Sequence, residues 1–181
     1  MNFRSVSTEE STSGAYILQP KDIILGSPIS DSKGLMRSFF KQSTPTYLEI
    51  GDIVLIPRCT DTGNFKSAVY TGSEDRIIAG ASLYILKTVS DIASPHYIAS
   101  FLNSAVGQSM LHKIATGATI KYLPVSLLKD IQIPILPKAQ QKSFVELEKN
   151  IRQQIKLLDE SKNIFSKLLN GVSQSLFSPN V

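Results

Sequence analysis

The chain has 181 residues, 42% of them hydrophobic and 19% charged, with a net charge of +4. That length suits one ordinary domain plus an appendage, and the apolar fraction excludes wholesale disorder. No apolar run reaches the roughly 18 residues of a membrane-spanning helix, a single cysteine, Cys59, excludes an internal disulfide, and one Cys with two His is too few for the four ligands of a Cys/His zinc site.

The first fourteen residues are polar and rich in Ser, Thr and Glu. They lack the basic and apolar regions of a signal peptide, so a cytoplasmic protein with a flexible N-terminus is expected. Tyr16–Leu18 and Ile23–Leu25 then form short strand candidates. Tyr47 to Ile50 leads into a Gly51-Asp52 turn, and Ile53-Val54-Leu55-Ile56 follows as a buried strand stopped by Pro57. Asp61-Thr62-Gly63-Asn64 is turn chemistry, after which a strand resumes over Lys66–Tyr70. Ile77–Ala79 and Ser82–Leu86 are two more strands around Gly80. From Pro95 to Met110 the apolar residues Tyr97, Ile98, Phe101, Leu102, Ala105 and Val106 recur at helical spacing, and Leu111–Ala115 extends the helix. Thr116–Thr119 is a loop, Val125–Leu128 one helical turn, and Ile131–Ile135 an edge strand leaving through Pro134 and Pro137.

Beyond Pro137 the composition changes. Residues 138–177 contain no proline and one glycine, Gly171, and read as one helix. Phe144, Ile151, Leu158, Phe165 and Val172 recur every seven residues. So do Glu148, Ile155, Lys162, Leu169 and Leu176. Taken as heptad positions d and a, every d position is apolar, and a is interrupted by Glu148 and Lys162. The stretch from Lys138 to Leu169 alone would be about 48 Å long at 1.5 Å per residue. A head of residues 15–137 is only about 30–40 Å across, too small to cover that stripe. A partner helix is therefore expected, through Phe144, Ile151, Ile155, Leu158, Lys162, Phe165, Leu169 and Val172. In an antiparallel pair the charges of Glu148 and Lys162 can relieve each other. The alternative is an ordinary amphipathic helix folded back on the head.

Catalytic signatures are missing. No phosphate-binding glycine loop, nucleophile elbow, metalloprotease helix or adenine-methyltransferase tetrapeptide occurs. His96 and His112, on one continuous helix, would lie about 24 Å apart, so each reads as a surface or helix-end histidine. Cys59 stands beside Arg58, which favours a lowered thiol pKa, but no histidine is near to orient it. These absences favour a binding module over an enzyme. The net charge argues only weakly for nucleic acid. Residues 138–181 hold seven Lys/Arg against four Asp/Glu, which leaves the first 137 residues at a net +1.

Three stretches nonetheless carry donors suited to DNA. They are Arg58, Thr60, Asn64 and Lys66 in one loop; Gly117, Thr119, Lys121 and Tyr122 in another; and Lys33, Arg37 and Lys41 in a basic stretch. Arg and Asn make paired hydrogen bonds to guanine and adenine edges, and Lys, Thr and Tyr suit phosphates. On residue type alone, ordinary solvated turns are the better explanation of these stretches.

The ordered motifs carry a resemblance. Lys21-Asp22-Ile23-Ile24 and Gly51-Asp52-Ile53-Val54-Leu55-Ile56-Pro57-Arg58, then Thr62-Gly63-Asn64-Phe65-Lys66-Ser67-Ala68, Ile78–Leu86, Tyr97-Ile98-Ala99-Ser100-Phe101-Leu102-Asn103-Ser104, Thr116–Leu123 and Ile131–Gln141 are similar, in order and spacing, to stretches of the specificity subunits of type I restriction–modification systems. Members of that family usually carry two target recognition domains and two long helices packed antiparallel. This chain has one of each and lacks the fuller opening strand region. The resemblance implies an α+β head of many short strands with a few helices, acting as a target recognition domain over 15–137. It implies a long helix over 138–177 in an antiparallel coiled coil, with a tail at 178–181. It further implies sequence-specific binding of double-stranded DNA at a bipartite site and no catalysis by this chain. Its partners would be an adenine methyltransferase subunit using S-adenosylmethionine, a restriction subunit and, for a half-length form, a second copy. Without the resemblance, the competing reading is a coiled-coil adaptor whose head binds another protein.

Overall fold

The structure, a computed structural model, describes residues 14–38, 47–72, 76–88 and 92–177. Lys41, most of the N-terminal segment and the tail at 178–181 lie outside the described residues. The chain divides into two compact units, residues 1–145 and residues 146–181.

The first unit is α+β. Its strands are β1 (Ala15–Leu18), β2 (Met36–Ser38), β3 (Ile53–Leu55), β4 (Arg58–Thr60), β5 (Ser67–Val69), β6 (Ile77–Ala79), β7 (Tyr84–Leu86) and β8 (Ile120–Tyr122), and its complete helices are α1 (Pro95–Asn103), α2 (Ala105–Ile114) and α3 (Val125–Leu128). One sheet runs β2-β1-β6, a second β5-β3-β7, and β4 pairs with β8 in a two-stranded ribbon.

The sheet centred on β3 explains its unbroken apolar run. Alternate side chains of a strand point to opposite faces. Ile53, Leu55 and Val69 enter one core with Tyr97, Ile98, Leu102 and Leu111 of the helices. Val54, Ala68 and Tyr70 enter another core with Leu18, Leu48 and Ile77, on the side of the first sheet. A strand buried on both faces has no polar side to show, and Ile53, Val54 and Leu55 are each 0% exposed.

The two Asp-Ile motifs make one repeated turn. Asp22 N donates to Gln19 O while Asp22 Oδ2 accepts from Gln19 N at 2.9 Å. Asp52 N donates to Glu49 O while Asp52 Oδ2 accepts from Glu49 N at 2.9 Å. In each case the aspartate closes the turn and the isoleucine after it enters the core.

Several expectations are corrected. Ile23–Leu25 is not a strand; it follows a 3-10 turn at Pro20–Asp22, with Ile23 buried and Ile24 exposed. The expected single helix breaks at Ser104, whose backbone is extended (φ −75°, ψ 162°). Ser104 Oγ accepts from Gly107 N at 3.2 Å and donates to Phe101 O at 2.7 Å, so it caps α2 while closing α1. Gly107 makes this corner possible, because a Cβ there would lie 2.0 Å from Phe101 O. The 131–135 segment forms no strand. Its proline, Pro134, lacks an N–H group, and Tyr97 Oη instead donates to Pro134 O at 2.6 Å. Arg58–Thr60, Met36–Ser38 and Ile120–Tyr122, taken as loops or a basic stretch, are strands.

The long helix α4 (Lys138–Phe177) has 40 residues, as the proline-free composition predicts. Its first two turns pack within the first unit. Gln141, 2% exposed, accepts from Ser94 N and donates to Ile92 O and Leu136 O. Phe144 meets the Tyr97 ring edge-on at 5.9 Å. In the second unit the apolar positions Ile151, Ile155, Leu158, Phe165, Leu169 and Val172 are all exposed. Leu147, Leu157, Ile164 and Leu168 are exposed as well, so the apolar arc is wider than a strict a/d stripe. No helix among the described residues is long and apolar enough to cross a membrane.

Candidate nucleic-acid interface

The two donor-bearing loops of the sequence form one unit. In the β4–β8 ribbon Arg58 stands opposite Tyr122, Cys59 opposite Lys121 and Thr60 opposite Ile120. Directly opposed residues share a face. Arg58, Thr60, Ile120 and Tyr122 therefore lie on one face, and Cys59 and Lys121 on the other. Thr116 pairs with Tyr122 backbone to backbone, which closes the intervening loop and displays Gly117 and Thr119 to solvent.

Tyr122 is held in place from two sides. Its hydroxyl lies 2.6 Å from Tyr84 Oη. Tyr84 Oη also lies 3.0 Å from Leu123 O, which can accept its hydrogen. Burial, then the hydrogen bond to Tyr122, push the Tyr84 phenol up to about 12. The Arg58 guanidinium stacks over the Tyr122 ring, 5.5 Å from its centroid, a cation–π contact that leaves an exposed arginine with its N–H edge free to meet a base or phosphate.

Behind β4, Lys121 Nζ lies 3.1 Å from Asp61 Oδ1. Cys59 packs against the core beneath the ribbon. Burial and then the Asp61 charge raise its thiol pKa, against the opposing pull of Lys121. The lowered pKa expected from neighbouring Arg58 is thus corrected, because the core on one side and a carboxylate nearby both favour the neutral thiol.

Asn64 and Lys66 are exposed on either side of Phe65, which is 0% exposed. Buried amides hold that segment by its backbone. Gln108 Oε1 accepts from Phe65 N at 2.9 Å and Gln108 Nε2 donates to Phe65 O at 2.8 Å. Asn103 Oδ1 accepts from Ser67 N at 2.9 Å and Asn103 Nδ2 donates to Ser67 O at 2.8 Å. Each amide thus replaces a missing neighbouring strand. His112 Nε2 lies 3.0 Å from Gly63 O and its ring 5.1 Å from that of Phe65. His112 is therefore a brace for this turn, on a helix separate from that of His96. Residue type alone gave no role to Gln108 or His112; polar residues on the inner side of a helix are the signal that points to such clamps.

Lys33 and Arg37 belong to another part of the unit. Arg37 lies on β2 with its guanidinium 4.5 Å from the Tyr16 ring centroid. Lys33 lines a cavity of about 270 Å³ together with Asp22 and Asp31, so that basic stretch stands beside two carboxylates. Among the described residues no group of three or more His, Cys, Asp or Glu side chains is placed to hold a metal ion.

No protein-family model matches the chain. It is 24% identical over 161 residues to a putative type I restriction enzyme MjaX specificity subunit of Methanocaldococcus jannaschii, covering 84% of this chain and 38% of that protein. It also matches a chain from a solved structure of type I R-M system complex assembly and conformational transition, with a TM-score of 0.65 and 16% identity, over 96% of this chain and 40% of that one. The second likeness establishes a shared fold. Together they bear out the resemblance carried by the ordered motifs, for a chain that spans about two fifths of the length of the proteins it matches.

Proposed function

We propose that this chain is a sequence-specific DNA-binding specificity subunit that directs a type I restriction–modification complex to a bipartite target, contributing recognition and no catalysis. The observation that carries this is the β4–β8 ribbon. It gathers Arg58, Thr60 and Tyr122 on one face, with the loop at Gly117 and Thr119 at its end and Lys121 on the face behind, next to a turn presenting Asn64 and Lys66. Bidentate and stacking donors on a clamped backbone are what base reading in a groove requires. Its partners are double-stranded DNA, an adenine methyltransferase subunit that supplies S-adenosylmethionine, a restriction subunit and a second copy of the chain, in the cytoplasm. The exposed apolar face of α4 supports the second copy, since one half of a two-fold assembly reads one half-site.

The test is a gel-shift series on the chain co-purified with its methyltransferase. Discrimination between target and random DNA should persist above about 200 mM salt, where non-specific phosphate contacts fade. Arg58→Ala and Lys121→Ala should each weaken target binding by about 1–3 kcal/mol if their side chains meet bases. Binding that vanishes uniformly with salt, or is unchanged in both variants, overturns the proposal. Retention of an unrelated protein by the head, with no DNA discrimination, would point to an adaptor instead.

A further inference from the structure

Given the antiparallel pair of two copies that the resemblance implies, we infer that α4 meets its partner in one specific register, with the two-fold axis beside Lys156, and that Arg152 and Asp159 select it. This rests on the two-copy reading above and names its geometry.

The argument starts from the exposed face of residues 146–177. Ile151, Ile155, Leu158, Phe165 and Leu169 are 47–70% exposed, a continuous apolar stripe with Glu148 and Lys162 inside it. In a parallel pair each a position faces itself, so Glu148 would meet the partner's Glu148 and Lys162 the partner's Lys162. Both contacts bury like charges, which disfavours that arrangement.

Antiparallel pairing turns the same residues into complements. With the axis beside Lys156, Ile155 packs against the partner's Leu158. Glu148 comes within one turn of the partner's Lys162. On the flank formed by heptad position e, Arg152 lies across from the partner's Asp159. On the other flank, at position g, Leu147 lies across from the partner's Leu168, which uses two exposed leucines that a strict a/d seam leaves unexplained. Two-fold symmetry makes each contact twice. Sliding the pair by one heptad destroys this agreement. One direction sets Arg152 against the partner's Arg152, and the other sets Asp159 against the partner's Asp159. The favoured axis also falls near the middle of the Lys138–Phe177 helix. Within its own helix Arg152 already bonds Glu148, with Nε 2.9 Å from Oε1, so the charge sits oriented at the seam.

The test is sedimentation equilibrium of the full-length chain at micromolar concentration, for wild type, Arg152→Asp, Asp159→Arg and an equimolar mixture of the two variants, with circular dichroism to confirm helix content. Wild type should be a dimer. Each variant alone opposes like charges twice and should dimerise at least about tenfold more weakly, whereas the mixture restores both opposite-charge pairs and should return to wild-type affinity as a heterodimer. A mixture that stays as weak as the single variants overturns the register. A monomeric wild type overturns the pairing altogether. DNA discrimination by the head, measured on the same samples, separates either failure from failure of the DNA-binding reading.

Discussion

At Gly117 the backbone has φ +100°, and a Cβ there would sit 2.2 Å from Ile120 O. Gly117→Ala therefore combines a disfavoured backbone with a clash inside the loop that the ribbon closes, and should cost about 1–3 kcal/mol in chemical denaturation. Asp61 is the electrostatic counterpart. Its carboxylate lies 3.1 Å from the Lys121 ammonium and competes with any phosphate for it in the proposed DNA complex, and its own side chain is 64% exposed. Asp61→Asn should free Lys121, raise affinity for random DNA and steepen the log–log salt slope by about one unit, while discrimination falls. An unchanged slope would show that Lys121 makes no phosphate contact. Tyr84 gives the ribbon a sensitivity to alkali. Its phenol is pushed up to about 12 from the ordinary value of 10.0. Below pH 10 the phenol is neutral in both folded and unfolded chains, and the stabilisation is complete. As pH rises from 10 towards 12 the unfolded chain loses this proton first, so stability falls. Tyr84→Phe should flatten that fall, measured as denaturation midpoint against pH.

At the scale of elements, the clamps set how firmly the interface is held. Gln108→Ala leaves the Phe65 N–H, the Phe65 carbonyl and the Leu102 carbonyl without their side-chain partner in a buried site. It should destabilise the protein by about 3 kcal/mol and weaken DNA binding although Gln108 touches no DNA. Ser104→Ala removes the α2 cap together with the hydroxyl bond to Phe101 O, which still accepts from Ser104 N, and should cost about 1 kcal/mol. The same elements show how far the sequence was legible. Ile53-Val54-Leu55 announced itself because burial on both faces leaves an uninterrupted apolar run. α4 did so because forty residues sample its period many times. The ribbon strands were hidden, since three exposed residues such as Arg58–Thr60 carry no measurable alternation. Their pairing joins segments some sixty positions apart, and only the fold brings those together. The break at Ser104 was masked because the apolar spacing of α1 runs on into Ala105 and Val106. In the structure Val106 is 63% exposed, so that continuation was spurious. Of the candidate site, residue chemistry picked out Arg58, Asn64, Lys121 and Tyr122, but only the register shows that Arg58 and Tyr122 oppose each other while Arg37 sits on another sheet and Lys33 in the turn before it.

For the whole molecule, the proposed pair makes helix length a ruler for DNA. With the axis beside Lys156, the two Lys138 residues lie about 54 Å apart along the pair at 1.5 Å per residue, which spans about 16 base pairs of duplex. This exceeds the length of about 48 Å of a helix ending at Leu169, because α4 continues to Phe177. The relation is testable without touching either interface. Inserting one extra heptad between Lys156 and Leu157 keeps the a and d positions in phase. It also leaves Arg152 across from the partner's Asp159, since the new residues lie symmetrically about the axis. The pair should remain a dimer, and its N-terminal ends should move apart by about 10 Å, equivalent to about 3 base pairs. Selection of bound sites from a random DNA library should then return the same two half-sites with a gap lengthened by that amount. The longer gap also turns one half-site by about 100° around the duplex relative to the other, so affinity should fall, although each half-site keeps its sequence. A gap that stays the same while the inserted protein remains dimeric would mean that α4 does not set the spacing. The half-sites would then have to be fixed by contacts of the heads with other subunits.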